Sequence, residues 1–227
     1  MGGVMVLCSS KTWAEMQPMR GELGLERFPM TCENGGVVVP GNSEGQAAAA
    51  GIVLGKSRRQ ILSVLKDLHQ SFLFRSFAQM SVAELVAQTS LSADSASLAL
   101  QRQCSEPLLW QDEPRRLAEF TQQLKAADLT LTRGGRFLHV AGHTTKGLAA
   151  QHLLKHDAQM QPPRLTVAIG DAPIDQSMLD LVDIPIAIPD PDGVFHVKIS
   201  QPPGIRASAP GPVGWAAALQ RIMDRLA

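Results

Sequence analysis

The sequence has no excess of either charge and no long apolar run, and both absences limit what the protein can be. Lys and Arg together number 21, as do Asp and Glu, so the formal net charge is zero. Such a balance gives no general attraction to nucleic acid or to an anionic membrane. No stretch approaches the roughly 18 apolar residues of a membrane span, and the opening MGGVMVLC is too short for a signal peptide. We therefore expect a soluble, cytoplasmic protein whose partner is a small molecule.

Cysteine is also scarce. The three cysteines, Cys8, Cys32 and Cys104, are an odd number and lack the spacing of a metal site. This pattern favours reduced thiols in the cytosol over a disulfide framework. His152 and His156 lie four residues apart on a predicted helix, but no third ligand accompanies them, so they do not indicate a zinc site.

What the sequence does have is an alternation of strand and helix patterns. Residues 1–48 and 134–227 predict an α/β fold with a parallel sheet, in which RLTVAIGDAP is too uniformly apolar to be a half-exposed strand. Residues 49–133 alternate strand and helix in their own right and are expected to form an inserted α/β domain. The loose segment NSEGQAAAAG, residues 42–51, indicates a linker. A chain of 227 residues is long enough for one large domain or two small ones.

Polar side chains follow three of the predicted strands. Ligands of parallel sheets collect at the carboxyl ends of the strands, so these side chains are candidates for one site. Hydroxyl and ammonium groups bind phosphate, carboxylates bind Mg²⁺, and a cation at a helix start reinforces an anion site. The sequence therefore predicts phosphoryl chemistry with Mg²⁺. The candidates are Ser9, Ser10 and Lys11, Glu33 and Asn34, Asp171 and Asp175, with Lys146 at the start of a later helix.

Each candidate also has a purely structural interpretation that the residues alone leave open. Ser9 and Ser10 are typical helix caps, and Glu33 with Asn34 and two glycines is typical of a hairpin turn. Lys146 alone is typical of a solvated surface, and Asp171 of a turn or cap.

A resemblance to a known family favours the functional interpretation. Ser-Ser-Lys after an apolar run, Lys-Gly opening a helix, and Gly-Asp-x-x-x-Asp after a buried strand resemble motifs two, three and four of the haloacid dehalogenase phosphatases. The strings LCSSKTWAEM, ENGG, QRQCSEPLLW, RGGRFLHVAG with KG, and GPVGW resemble the mannosyl-3-phosphoglycerate phosphatase family, in order and over nearly the whole chain.

The resemblance implies a Rossmann-like core with an inserted α/β cap, and hydrolysis of a phosphomonoester through an aspartyl-phosphate with Mg²⁺. It implies that Ser9 hydrogen-bonds the phosphoryl group and that Lys146 neutralises it. Asp171 would ligate Mg²⁺, and Asp175 would support that ligand in the metal site.

The resemblance also implies contacts with a small phosphorylated sugar-glycerate substrate. Glu33 and Asn34 would line the mouth of the site together with Ser10 and Lys11. In the RQCSEP string of the cap, Arg102 and Glu106 would face the sugar or glycerate portion. Such an enzyme would make a compatible solute of the mannosylglycerate kind.

The sequence departs from the family pattern in two places. Ile174 stands where the family usually has Asn before the second acid of motif four. Motif one, Asp-x-Asp-Gly-Thr, supplies the nucleophile, yet no aspartate occurs before Asp67. We therefore expect the first strand of the core to be missing and this polypeptide alone to be a poor or inactive phosphatase. Truncation at the start and natural loss in a pseudoenzyme both explain this, and truncation is favoured because the other motifs are largely kept.

Two other functions remain as alternatives. One is another sugar phosphatase of the superfamily, acting on sucrose phosphate or trehalose phosphate, although SSKT and SEP resemble the first family more. The other is a non-catalytic protein that binds a sugar phosphate, which the absent aspartates support. The sequence does not identify the sugar and gives no indication of oligomeric state.

Overall fold

The computed structural model of the protein describes residues 3–41, 51–134, 136–160, 165–199 and 203–226. Nearly all of the predicted linker, residues 42–51, lies outside these ranges. Contacts divide the chain into two compact units, Met1–Thr144 and Thr145–Ala227. In the described ranges, no helix is both long enough and apolar enough to cross a membrane.

The first unit begins with a mixed sheet in the order β1-β2-β3-β4. Its strands are β1 (Leu7–Cys8), β2 (Met30–Cys32), β3 (Val37–Val39) and β4 (Ile52–Val53). Helix α1 (Trp13–Glu22) connects β1 to β2, which are parallel. The helix begins at Thr12, whose hydroxyl accepts from the Glu15 amide while the Glu15 carboxylate accepts from the Thr12 amide. This crossover leaves the carboxyl ends of β1 and β2 at the same edge.

The second sheet of the first unit is antiparallel, in the order β5-β6-β8-β7. Its strands are β5 (Phe74–Ser76), β6 (Ser105–Trp110), β7 (Thr130–Gly134) and β8 (Phe137–Ala141). The associated helices are α2 (Arg58–Leu68), α3 (Val82–Thr89), α4 (Ala93–Ala99) and α5 (Leu117–Ala126). Because side chains alternate along a strand, Leu108 packs with α2 and α5, and Leu109 with α3 and α4.

The second unit contains a parallel sheet in the order β11-β10-β9. Its strands are β9 (Val167–Gly170), β10 (Ile184–Ala187) and β11 (Ile205–Arg206). The helices are α6 (Lys146–His156), α7 (Gln176–Leu179) and α8 (Gly211–Leu226). Ala218 and Ile222 of α8 pack against Ile186 and Ile205 of the sheet and form the core on that side.

The predicted fold class, α/β with a parallel-sheet core, is confirmed. One detail is wrong: RLTVAIGDAP is not fully buried, because β9 lies at the edge of its described sheet and leaves Val167 and Ile169 partly exposed. The predicted inserted domain, residues 49–133, stays a prediction. The antiparallel sheet itself continues to Ala141.

Candidate active site

In the second unit, the candidate site is built on the turn that follows β9. The Asp175 carboxylate turns back onto this segment, where Oδ2 accepts from the amides of Asp171 at 3.2 Å and Ala172 at 3.0 Å. Gly170 permits this approach, because a Cβ atom there would lie 2.4 Å from the Asp175 Cβ. The turn therefore fixes Asp175 in a buried position, 4% exposed.

Helix α6 brings a lysine to the same carboxylate. Thr145 caps the helix by accepting from the Leu148 amide, and Lys146 Nζ donates to Asp175 Oδ1 at 2.5 Å. The next residue, Gly147, donates its amide to Ser177 Oγ at 3.1 Å. A Cβ atom on Gly147 would lie 2.3 Å from the Ser177 carbonyl oxygen, so only glycine lets the helix start this close. The Lys-Gly pair thus places the Lys146 ammonium within hydrogen-bond distance of the Asp175 carboxylate.

Asp171 differs from Asp175 in being exposed. Within the described residues its carboxylate accepts no hydrogen bond, so its oxygens are free for a ligand. Free carboxylate oxygen is the donor type that Mg²⁺ prefers, and Asp171 therefore fits this ion in kind. The fit is partial, because the described residues contain no group of three or more His, Cys, Asp or Glu side chains placed to hold a metal. Ile174, where the family has Asn, adds no polar atom.

In the first unit, the loop after β1 and the turn after β2 lie side by side. The Asn34 amide donates to the Ser9 carbonyl at 3.0 Å, and the Glu33 amide donates to the Lys11 carbonyl at 2.9 Å. Ser9 Oγ accepts from the Lys11 amide at 3.2 Å, which leaves the hydroxyl proton available to donate. Ser10 is exposed beside it.

Glu33 is buried in the turn, 1% exposed, and does not face open solvent. Its carboxylate accepts from the amides of Gln103 at 2.7 Å and Cys104 at 3.1 Å, and from Ser105 Oγ at 2.5 Å. Glu33 and Asn34 both have positive φ, 50° and 59°, a conformation uncommon for residues other than glycine. In this structure Glu33 anchors the turn to β6, and its role in substrate binding stays a prediction.

Arg102 and Glu106 are also held inside the first unit. Arg102 donates to Ser105 Oγ at 2.8 Å, and burial lowers the pKa of its guanidinium against the opposing effect of Glu33. The Glu106 carboxylate is fully buried and accepts from Arg58 Nε and from the Ala78 amide, each at 2.7 Å. Both oxygens of Glu106 are thus occupied by the protein, and contact with a sugar stays a prediction for both residues.

The buried thiols of the first unit are not activated. Burial, reinforced by Glu33, raises the pKa of Cys32 to about 12. Burial and Glu33 likewise raise the pKa of Cys104. Both thiols stay protonated near neutral pH and are poor nucleophiles.

Sequence reasoning missed several residues that hold these side chains in place. Arg58 gave no signal, because its partner Glu106 lies 48 residues away. Ser105 belongs to the SEP string and Gly147 to the Lys-Gly pair. The motifs therefore included both residues, but the sequence assigned neither of them a role. Ser177 is identified only by its contact with Gly147.

Comparison with known proteins agrees with this architecture. A family model described as haloacid dehalogenase-like hydrolase matches residues 1–191. The chain belongs to this family, and the family prediction is confirmed. Over 98% of its length it is 32% identical to a glucosyl-3-phosphoglycerate/mannosyl-3-phosphoglycerate phosphatase from Persephonella marina, of which the match covers 85%.

Solved structures share the fold at low sequence identity. A Thermoplasma acidophilum protein, 0175, is similar with a TM-score of 0.69 and 13% identity, over 97% of this chain and 83% of that one. The sugar phosphatase BT4131, of haloacid dehalogenase subclass IIB, is similar with a TM-score of 0.60 and 13% identity, over 97% of this chain and 86% of that one.

Proposed function

We propose that the protein is a cytoplasmic, Mg²⁺-dependent phosphomonoester hydrolase whose substrate is mannosyl-3-phosphoglycerate or its glucosyl counterpart. The observation that carries the proposal is the Lys146–Asp175 pair on the turn after β9, with the free carboxylate of Asp171 in the same turn. The Persephonella marina relative supports the substrate class, since its name states that it acts on these two compounds.

The residues of the second unit have separate roles in this proposal. Lys146 carries the positive charge that offsets a phosphate, and Asp175 fixes the ammonium by accepting its hydrogen bond. Asp171 would hold Mg²⁺, which when bound supplies positive charge that polarises a phosphoryl oxygen. Asp175 would not be a ligand while its oxygens serve Lys146 and two backbone amides.

In the first unit, Ser9 is proposed to donate its hydroxyl proton to a phosphate oxygen. Its oxygen already accepts from the Lys11 amide, so the proton is directed away from that bond. A phosphate dianion offers only acceptors and therefore needs donors of this kind.

The polypeptide of residues 1–227 is proposed to turn over poorly when tested by itself. Family members use an aspartate nucleophile on the first strand, and no aspartate precedes Asp67. Cys32 and Cys104 do not replace it, because they are buried and protonated. Ligand binding, unlike turnover, needs no nucleophile and is the more direct test of the site.

The test is isothermal titration with mannosyl-3-phosphoglycerate in the presence of Mg²⁺. Asp171→Asn and Lys146→Met should each weaken binding by about tenfold or more, since charge-assisted bonds contribute about 1.5–3 kcal/mol. Lys155→Met is the matched control, an exposed lysine on the same helix, and should bind as the wild type does. Equal affinity of Asp171→Asn and wild type would refute the proposed metal site. Tighter binding of sucrose phosphate or trehalose phosphate would refute the substrate class.

A further inference from the structure

The loop after β1 has an unusual arrangement of backbone carbonyl groups. Three consecutive carbonyls accept hydrogen bonds from the protein: Ser9 from the Asn34 amide at 3.0 Å, Ser10 from Arg102 at 3.4 Å, and Lys11 from the Glu33 amide at 2.9 Å. All three backbone carbonyls of this short segment therefore accept hydrogen bonds from other residues of the protein.

The same loop also carries donors that no bond within the described residues uses. The Ser9 hydroxyl proton is not used by the bond from Lys11, and within the described residues the Ser10 amide has no hydrogen-bond partner. A phosphate group has acceptors only, so it is attracted by donors and repelled by exposed carbonyl oxygens. The orientation of the three carbonyls thus decides whether the loop attracts or repels a phosphate.

Arg102 is the side chain that holds the middle carbonyl. Both of its terminal nitrogens lie 3.4 Å from the Ser10 oxygen, while the neighbouring carbonyls are held by backbone amides. The Arg102 side chain is 6% exposed and lies 3.9 Å from Glu33 Oε2. Ser105 Oγ accepts from Arg102 and donates to Glu33. The two terminal nitrogens of the guanidinium are therefore held by the protein, and little of its surface is left for a substrate.

We infer that Arg102 is a positioning residue for phosphate binding: by donating to the Ser10 carbonyl it fixes the Ser9–Lys11 loop in the conformation that presents its donors to the phosphate. It does not contact the sugar or the glycerate. The inference rests on the proposed function, because it assigns the phosphate to this loop.

The test compares two ligands, inorganic phosphate and mannosyl-3-phosphoglycerate, by titration calorimetry with Mg²⁺ present. If Arg102 is a positioning residue, Arg102→Met should lower the affinity for both ligands by a similar factor, about tenfold. Arg102→Lys, which retains a donor and the charge, should recover part of the affinity for both. A loss confined to mannosyl-3-phosphoglycerate would overturn the inference, because it would show direct contact with the organic part.

Arg58→Lys is the matched control. Arg58 is also partly buried and bonds a carboxylate and a carbonyl, Glu106 and Leu100, but within the described residues its side chain donates no hydrogen bond to the Ser9–Lys11 loop. Its variant should lose stability and keep wild-type affinity for both ligands. If Arg58→Lys lowered the affinity for phosphate as much as Arg102→Lys does, a general loss of stability would explain both results and the inference would fail.

A second measurement separates this inference from the proposed function. Amide hydrogen exchange followed by NMR reports the Lys11 amide, which donates to Ser9 Oγ within the loop. Arg102→Lys should accelerate its exchange by about tenfold, an opening easier by about 1.4 kcal/mol, and Arg58→Lys should not. Unchanged exchange would overturn the inference even if the ligands bind. If no variant and no wild type binds either ligand, the proposed function fails while the exchange result still decides the role of Arg102.

Discussion

Lys146 Nζ lies 2.5 Å from Asp175 Oδ1, and the two side chains are 11% and 5% exposed. A buried pair of this kind is destabilising when one partner is removed, because the other charge is left without compensation. Asp175 also accepts two backbone amides, so it supports the turn as well as the lysine.

Asp175 and Asp171 should therefore respond differently to alanine. Asp175→Ala should lower the free energy of unfolding by about 3–5 kcal/mol, because it strands the Lys146 ammonium. Asp171→Ala should change it by less than about 0.5 kcal/mol, since an exposed carboxylate without a partner contributes little. Urea unfolding followed by circular dichroism measures both. Equal losses would show that Asp171 is a structural residue and not a free ligand.

Gly147 and Gly21 form a second matched pair, both inside helices. Gly147→Ala should destabilise by about 1–3 kcal/mol, because the new Cβ meets the Ser177 carbonyl and pushes the start of α6 away. Gly21→Ala in α1, where the nearest atom is 3.6 Å from the new Cβ, should stabilise by about 0.5–1 kcal/mol. Thermal unfolding of the two variants checks this. If Gly147→Ala raised the stability, it would contradict the close contact between Gly147 and Ser177 that places Lys146 against Asp175.

His139 makes the stability of the first unit depend on pH. Burial, with a smaller effect of the Arg102 charge, lowers its pKa from 6.5 to about 4. In the unfolded chain His139 is thus protonated near pH 6.5, whereas in the folded chain it is protonated only near pH 4. Stability should fall as the pH falls through this window, by an amount on the order of 3 kcal/mol.

The measurement is urea unfolding at several pH values for the wild type and His139→Gln. The variant should lose the part of the slope between pH 6.5 and pH 4 that His139 contributes, because the titrating group is gone. His143→Gln, an exposed histidine, is the control and should retain the slope. An unchanged slope in His139→Gln would refute the assignment.

Glu106 provides a test of structural against substrate-binding roles. Glu106→Ala should cost about 3–5 kcal/mol of stability by leaving Arg58 unpaired, and Glu106→Leu combined with Arg58→Met should regain part of it. Affinity for mannosyl-3-phosphoglycerate in the folded protein should not change. A large loss of affinity at Glu106 would instead support the prediction that it faces the sugar.

Local features of the site could be predicted from the sequence. Lys146 stands in the first turn of α6, as the Lys-Gly motif predicts, and Thr145 caps that helix. Asp171 follows β9 directly, since an apolar strand ending in Gly-Asp is visible in the residue pattern. The helix-cap interpretation of Ser9 and Ser10 was wrong, because Thr12 with Glu15 forms the cap of α1.

Long-range polar partners could not be predicted. Glu33 and Ser105 are 72 residues apart, and Lys146 and Asp175 are 29 apart. Hydrophobic periodicity predicts which face of an element is buried but not which buried polar groups meet there. For this reason the sequence did not indicate the protein partners of Glu33. The resemblance implied that Glu33 binds substrate, whereas its carboxylate accepts hydrogen bonds from Gln103, Cys104 and Ser105.

The most direct test of the account is phosphate release from mannosyl-3-phosphoglycerate with Mg²⁺, measured beside ligand binding. Two proteins are compared: residues 1–227, and the same chain extended ahead of Met1 by a segment that contains Asp-x-Asp-Gly-Thr and a connection long enough to place it as a parallel strand. We predict that both bind the ligand, that the extended protein releases phosphate far faster, and that Asp171→Ala abolishes this release. Rapid release by residues 1–227 that Asp171→Ala leaves unchanged would contradict the account.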